Sequence, residues 1–294
     1  RYLGKDEEGA DMSILVFGAT GQVARELARH EGVISVGRAQ ADLSDPGACA
    51  ALIRETAPEA VINAAAYTAV DKAETEEELA TIINGAAPGA MATACAQAGI
   101  PFVHISTDYV FGGEGDHRWH PDDATAPQTV YGQSKRLGEL GVMAGYEDHE
   151  TPFVVLRTSW VISGRGKNFV SAMQEAGQRR DHVSVVADQI GGPTPADDLA
   201  RAILQIADRL AAGTAPGGIY HYSGAPDVSW ADFAREIFAQ AGRSVAVTDI
   251  PSADYPTPAK RPANSRLNCA ATADVFGIDR PDWRSELSAV LTEL

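Results

Sequence analysis

From Ser13 to Leu156, short apolar runs alternate with longer stretches whose apolar residues recur every three or four positions. Ser13–Phe17, Val33–Val36, Ala60–Asn63, Pro101–Ile105 and Phe153–Leu156 read as strands. They are nearly continuous apolar runs, which suits parallel strands covered on both faces. Between them, Gln22–His30, Pro46–Thr56, Glu77–Ala98 and Thr129–Tyr146 read as helices. This repeated strand–helix order predicts an α/β fold, a Rossmann-type doubly wound parallel sheet with right-handed crossovers.

The pattern then loosens. Leu199, Ile203, Ile206 and Leu210 mark an amphipathic helix. A glycine- and proline-rich break at Gly213–Gly218 precedes a strand at Ile219–Tyr222. Ser229, three before Asp232, signals a helix start. Pro251–Pro262 holds four prolines and reads as an extended, ordered loop. A last helix is expected near Trp283–Leu294. Met12 reads as a natural start, with residues 1–11 an extension. Residues 12–160 form the dinucleotide domain, to which about 181–215 return, and 161–294 form mainly a smaller C-terminal substrate-binding domain.

Composition narrows the function. The chain has 294 residues, 45% of them hydrophobic, too many for a disordered protein. Its net charge of −16 repels phosphate backbones, so nucleic acid is not an expected partner. An anionic ligand must instead be gripped by a specific site. No apolar run approaches a membrane span and no signal peptide is visible, so no membrane association is expected. Cys49, Cys95 and Cys269 are odd in number and lack a CxxC, which fits reduced thiols in a cytoplasmic protein.

The first strand runs into Gly18-Ala19-Thr20-Gly21-Gln22-Val23-Ala24 and then a helix. Gly18 permits the tight turn, Gly21 lets backbone amides approach a pyrophosphate, and Ala24 keeps helix and strand close. The second strand ends in Val36-Gly37-Arg38, with no carboxylate to bind a ribose 2′-hydroxyl. Arg38 therefore favours the 2′-phosphate of NADPH, with NADH the second choice. Asp42-Leu43 follows, where a carboxylate can meet the adenine amino group or simply form a turn. Small residues Ala64, Ala65 and Ala66 close the third strand and leave room for a flat ligand.

Tyr131 and Lys135 stand four apart on one helix and share a face. A nearby ammonium favours phenolate, so Lys135 is expected to lower the Tyr131 pKa and make it a general acid for a carbonyl. The fourth strand ends in Ser106-Thr107-Asp108-Tyr109, bringing hydroxyls to the same sheet edge. Glycine turn, hydroxyl strand end and Tyr/Lys helix come in the chain order of short-chain dehydrogenase/reductases.

Denser motifs narrow this further: VINAAAYTAVDKAE at Val61–Glu74, STDYVF at Ser106–Phe111, RTSWV at Arg157–Val161, DQIGGPT at Asp188–Thr194 and YPTPAKRPANSRLN at Tyr255–Asn268. With them the chain resembles the dTDP-4-dehydrorhamnose reductase family, from Ser13 to near the C-terminus. The resemblance implies hydride delivery to C4 of dTDP-4-dehydro-6-deoxy-L-mannose, giving dTDP-L-rhamnose. It puts catalytic roles on Thr107, Tyr131 and Lys135. It lays Gly21, Gln22, Val23, Asp42, Leu43, Ala66, Tyr67 and Thr68 along the cofactor path, and sets Thr107, Asp108, Trp160 and Val70 against the dTDP-sugar. Some members form metal-bridged dimers, so Mg2+ and a homodimer are expectations carried by the resemblance alone. Two departures are Arg38, where many relatives carry an aspartate, and Tyr67, where many carry a histidine.

Other residues stay open. Arg261 suits substrate phosphates or a solvated loop. His117 and His120 read as part of a solvated loop rather than a metal site. Trp119 in that loop is a candidate to cover the substrate. Two rival functions remain: another sugar-nucleotide enzyme such as an epimerase or dehydratase, and a non-catalytic regulatory nucleotide-binding subunit.

Overall fold

The structure, a computed structural model, describes residues 13–294; the expected extension and Met12 lie outside the described residues. Six parallel strands form the main sheet: β1 (Ile14–Phe17), β2 (Val33–Val36), β3 (Ala60–Asn63), β4 (Phe102–Thr107), β5 (Phe153–Thr158) and β6 (Gly218–His221). Their spatial order is β6-β5-β4-β3-β1-β2. The sheet is covered on both faces, as continuous apolar runs require. Along β1, Ile14 and Val16 enter one core with the Ala196–Ala211 helix. Leu15 and Phe17 enter the other, with helices Pro46–Thr56, Ala87–Ala98 and Val130–Tyr146. The chain reverses its direction of travel across the sheet between β1 and β3, which opens a crevice at the carboxyl strand ends.

The predicted Glu77–Ala98 helix is broken by a π-helical turn at Ile82–Ala86. By length and composition this stretch is apolar enough to cross a membrane, contrary to the sequence expectation, but it is mostly buried inside the fold. In the π turn Asn84 holds both the amide and the carbonyl of Tyr67 and reaches Ser134 Oγ at 3.0 Å. Its carbonyl meets the next helix where Gly138 lacks a side chain; any Cβ there would run into Asn84 O. This close approach sets the height of the Val130–Tyr146 helix against β4.

The rest of the chain packs around Phe233, Ile237, Trp283 and Leu287, and around Val183, Val185 and Phe238. His182–Val186 pairs in parallel with Ala246–Ile250, away from the main sheet. Helices Phe169–Arg179, Trp230–Gln240 and Trp283–Thr292 complete this part. Ser229 caps the second of them through its hydroxyl and the Asp232 amide, as its position suggested.

Gly138→Ala should lower the unfolding free energy by about 1–3 kcal/mol, the usual cost of forcing extra volume into a packed contact. Urea unfolding measures it; an unchanged midpoint would show that the two helices part freely.

Candidate active site

A cleft of about 1030 Å³ runs along the carboxyl ends of β1, β3, β4 and β5. Thr20, Gly21, Gln22 and Val23 line one end, Ala64–Ala66, Thr68 and Val70 one side, and Thr107, Asp108, Tyr131 and Lys135 the floor. Gly18 lies beneath the turn with φ +127°, and a Cβ there would press on Ala24 and the Ala64 backbone. No side chain caps the Gln22–Leu27 helix. Its first-turn amides thus remain available for a phosphate, and the cradle fits a dinucleotide.

Gln22 also reaches across the cleft. Its amide nitrogen donates to Val161 O at 3.3 Å, and its oxygen accepts from Ser163 and Asn168 at 2.9 Å each. Arg38, Asp42, Leu43 and Tyr67 lie outside the cleft lining. Arg38 is exposed at the end of β2, 3.6 Å from Asp42, whose carboxylate also accepts the Ser44 amide. Leu43 is buried. The Tyr67 hydroxyl turns away to donate to Glu76 at 2.7 Å.

The floor of the cleft rests on a buried ion pair. Glu139 accepts from Arg157 at 2.8 Å through both Nε and Nη2, from Ser106 Oγ at 2.6 Å and from Arg136 at 2.8 Å. Burial pushes its pKa up, but these donors outweigh that and hold the carboxylate below its ordinary range. Thr129 caps the Val130–Tyr146 helix, accepting the Gly132 amide at 3.0 Å. Tyr131 then packs edge-on against Tyr109, with ring centroids 5.4 Å apart.

The expected lowering of the Tyr131 pKa is not what the site shows. Burial pushes the phenol up to about 12, partly offset by a hydrogen bond with Thr107. Lys135 points elsewhere, donating to Ile105 O at 2.7 Å and meeting His104 Nε2 at 3.1 Å. Burial brings the Lys135 pKa down to about 8, against the pull of Glu139.

Asp108 is buried, with Oδ1 accepting from Thr107 at 3.1 Å and Oδ2 unpartnered. Burial raises its pKa to about 6, against hydrogen bonds from Ser265 and Thr107. Trp160 lines the far wall in a left-handed backbone conformation, φ +49°. Its ring stacks on Trp230 with centroids 3.4 Å apart, a partner that sequence reading missed because the only signal near it was the helix start at Ser229. Arg261 reaches the cleft from the proline-rich loop and pairs with Asp71 at 2.7 Å, while Ala259 N donates to the same carboxylate. Trp119 does not cover the cleft; it stacks on Phe111 and donates to Asn264 O.

Among the described residues no group of three or more His, Cys, Asp or Glu side chains gathers as a metal site. The Mg2+ expectation therefore finds no ligand set here.

The family model for the RmlD substrate binding domain matches residues 12–294. A dTDP-4-dehydrorhamnose reductase from Sinorhizobium fredii is 43% identical over 282 residues, 92% of this chain and 94% of its own length. The chain belongs to the dTDP-4-dehydrorhamnose reductase family. Solved members agree in shape. The reductase from Clostridium acetobutylicum superposes with a TM-score of 0.88 at 36% identity, covering 96% of this chain and 99% of its own. That from Bacillus anthracis, in complex with NADP, gives 0.88 at 30%, covering 97% and 100%. In this chain the cleft brings the glycine turn together with Thr107, Tyr131 and Lys135.

Asp108→Asn tests the cost of the buried carboxyl. A raised folded pKa means the folded state binds more protons than the unfolded chain between about pH 4 and 6. Stability therefore falls as pH rises through that window, and the penalty is complete above it. Asp108→Asn should raise the unfolding free energy by about 1–3 kcal/mol at neutral pH and change it little at about pH 4. Equal effects at both pH values would count against this account.

Proposed function

We propose that the protein reduces the C4 keto group of dTDP-4-dehydro-6-deoxy-L-mannose with NADPH, giving dTDP-L-rhamnose. The observation that carries the reading is the Tyr131 phenol beside the Thr107 hydroxyl on the floor of a cleft whose other end is a phosphate-binding turn. NADPH, when bound, supplies the hydride. Gly18, Gly21, Gln22 and Val23 hold its diphosphate, and Ala64, Ala65, Ala66 and Thr68 flank its flat parts. The exposed Arg38 meets the 2′-phosphate.

Tyr131 donates its hydroxyl proton to the C4 oxygen, and Thr107 hydrogen-bonds that oxygen. A charged Lys135 turned toward the phenol offsets the burial that holds it near 12. Asp108 and Trp160 hold the sugar, with Val70 at its edge. Arg261 exchanges Asp71 for the substrate's diphosphate, a change of partners that suits a guanidinium fork. The Bacillus anthracis complex with NADP supports the choice of cofactor. The reading extends to a cytoplasmic homodimer, which family resemblance supports and analytical ultracentrifugation tests.

The assay follows NADPH absorbance at 340 nm with the 4-keto sugar nucleotide. Tyr131→Phe should lower kcat by about 10²- to 10⁴-fold, the usual worth of a positioned proton donor, with NADPH affinity nearly unchanged. Turnover equal to wild type would sink the mechanism. Arg38→Ala should raise the KM for NADPH about tenfold, the loss of one charge-assisted contact, and leave that for NADH unaltered. Parallel changes for both cofactors would remove Arg38 from the 2′-phosphate.

A further inference from the structure

His104 sits in the middle of β4, fully buried, with a partner on each ring nitrogen. Nδ1 faces Asn63 Nδ2 at 3.1 Å, and Nε2 faces Lys135 Nζ at 3.1 Å. The orientation of the Asn63 amide is decided by a third contact. The Ala65 backbone N–H, which can only donate, meets Asn63 Oδ1 at 3.1 Å. The amide therefore turns its NH₂ to the histidine, and Nδ1 must accept.

A neutral imidazole carries one proton, so that proton is on Nε2. Burial keeps the ring neutral, far below its ordinary pKa. Nε2–H then points straight at Lys135 Nζ. An ammonium there would set hydrogen against hydrogen. A neutral amine has the lone pair that this donor needs, and still donates to Ile105 O at 2.7 Å. We propose that at alkaline pH His104 holds Lys135 as an uncharged amine in the free protein, and that binding of the nicotinamide dinucleotide then loads one proton from solvent onto it.

The surroundings agree. From its own helix Lys135 is faced by Tyr131, a protonated phenol, and by Glu139, whose charge is already engaged by Arg157 and Arg136. From β4 it meets His104 and the Ile105 carbonyl; beyond the strand, Asp108 is tied to Thr107. Burial places the changeover near pH 8 in the free protein. The phosphates of a dinucleotide bring negative charge into the cleft, which favours the cation. The loaded ammonium has no lone pair for Nε2–H, so it turns from His104 toward the cleft and the Tyr131 phenol. His104 acts as a positioning residue: above that pH it keeps the charge off Lys135 until a cofactor is present. This rests on the cofactor reading above, and the test separates the two.

NADPH is titrated calorimetrically into the full chain in two buffers of different ionisation enthalpy. At about pH 9 close to one proton should be taken up per NADPH bound, falling toward none at about pH 6. No NADPH binding at all would overturn the cofactor reading instead; binding without proton uptake at the higher pH overturns this proposal. His104→Phe keeps a ring in the strand but removes the donor, so uptake at about pH 9 should fall below half the wild-type value. Independently of any variant, the ¹⁵N spectrum of the free wild-type protein at that pH should show His104 protonated on Nε2 and bare on Nδ1. The opposite tautomer contradicts the proposal outright.

Discussion

The site depends on an ion pair that water does not reach. Taking Glu139 and Arg157 out of water costs several kcal/mol per ion, and attraction alone does not recover it. Two parallel guanidinium contacts, a serine hydroxyl and a second arginine do. The partners come from different elements: Glu139 from the Val130–Tyr146 helix, Ser106 from β4 and Arg157 from β5, where Ser106 and Arg157 stand in register. Satisfying one carboxylate thus fixes a helix against two strands. Lys135 and Tyr131 lie one and two turns up the same helix face, so the pair also fixes the distance from phenol to Thr107. The close contact at Gly138 fixes the remaining degree of freedom.

The opposite wall is held by softer means. Gln22 spans from the glycine turn to the segment after β5, and Trp160 is pinned by Trp230. Over the mouth, the proline-rich loop is tied down by Arg261 and Asp71, both partly exposed. A pair in that setting contributes about 1 kcal/mol or less, far less than the buried pair on the floor costs to break.

The parallel sheet was legible in the sequence because strands buried on both faces leave apolar runs that cannot be mistaken for alternation. The glycine turn and the Tyr131/Lys135 spacing were legible because each sits at a fixed offset from such a run. What was not legible depends on folding in three dimensions. His182–Val186 and Ala246–Ile250 went unseen, since the second is half-exposed and carries little apolar signal. The helices Phe169–Arg179 and Ala270–Phe276 also escaped notice. Trp230 is seventy residues from the tryptophan it supports. His104 gave a signal, a lone histidine inside an apolar strand, but not its meaning, which rests on Asn63 and Ala65. The Tyr131 pKa went the wrong way because spacing reveals the neighbouring cation and says nothing of how much water is lost, nor that the cation faces away.

Electrostatics ties these features to the ligand. An overall charge of −16 opposes any anionic nucleotide at long range. Burial makes the floor less charged than its residues suggest, since Asp108 and Lys135 are each pushed toward their neutral forms. The positive charge that remains is placed on the walls, on Arg165, Lys167 and Arg261, with Arg38 beyond the end of β2. A nucleotide is therefore drawn by the walls, where charge is solvated and inexpensive to keep.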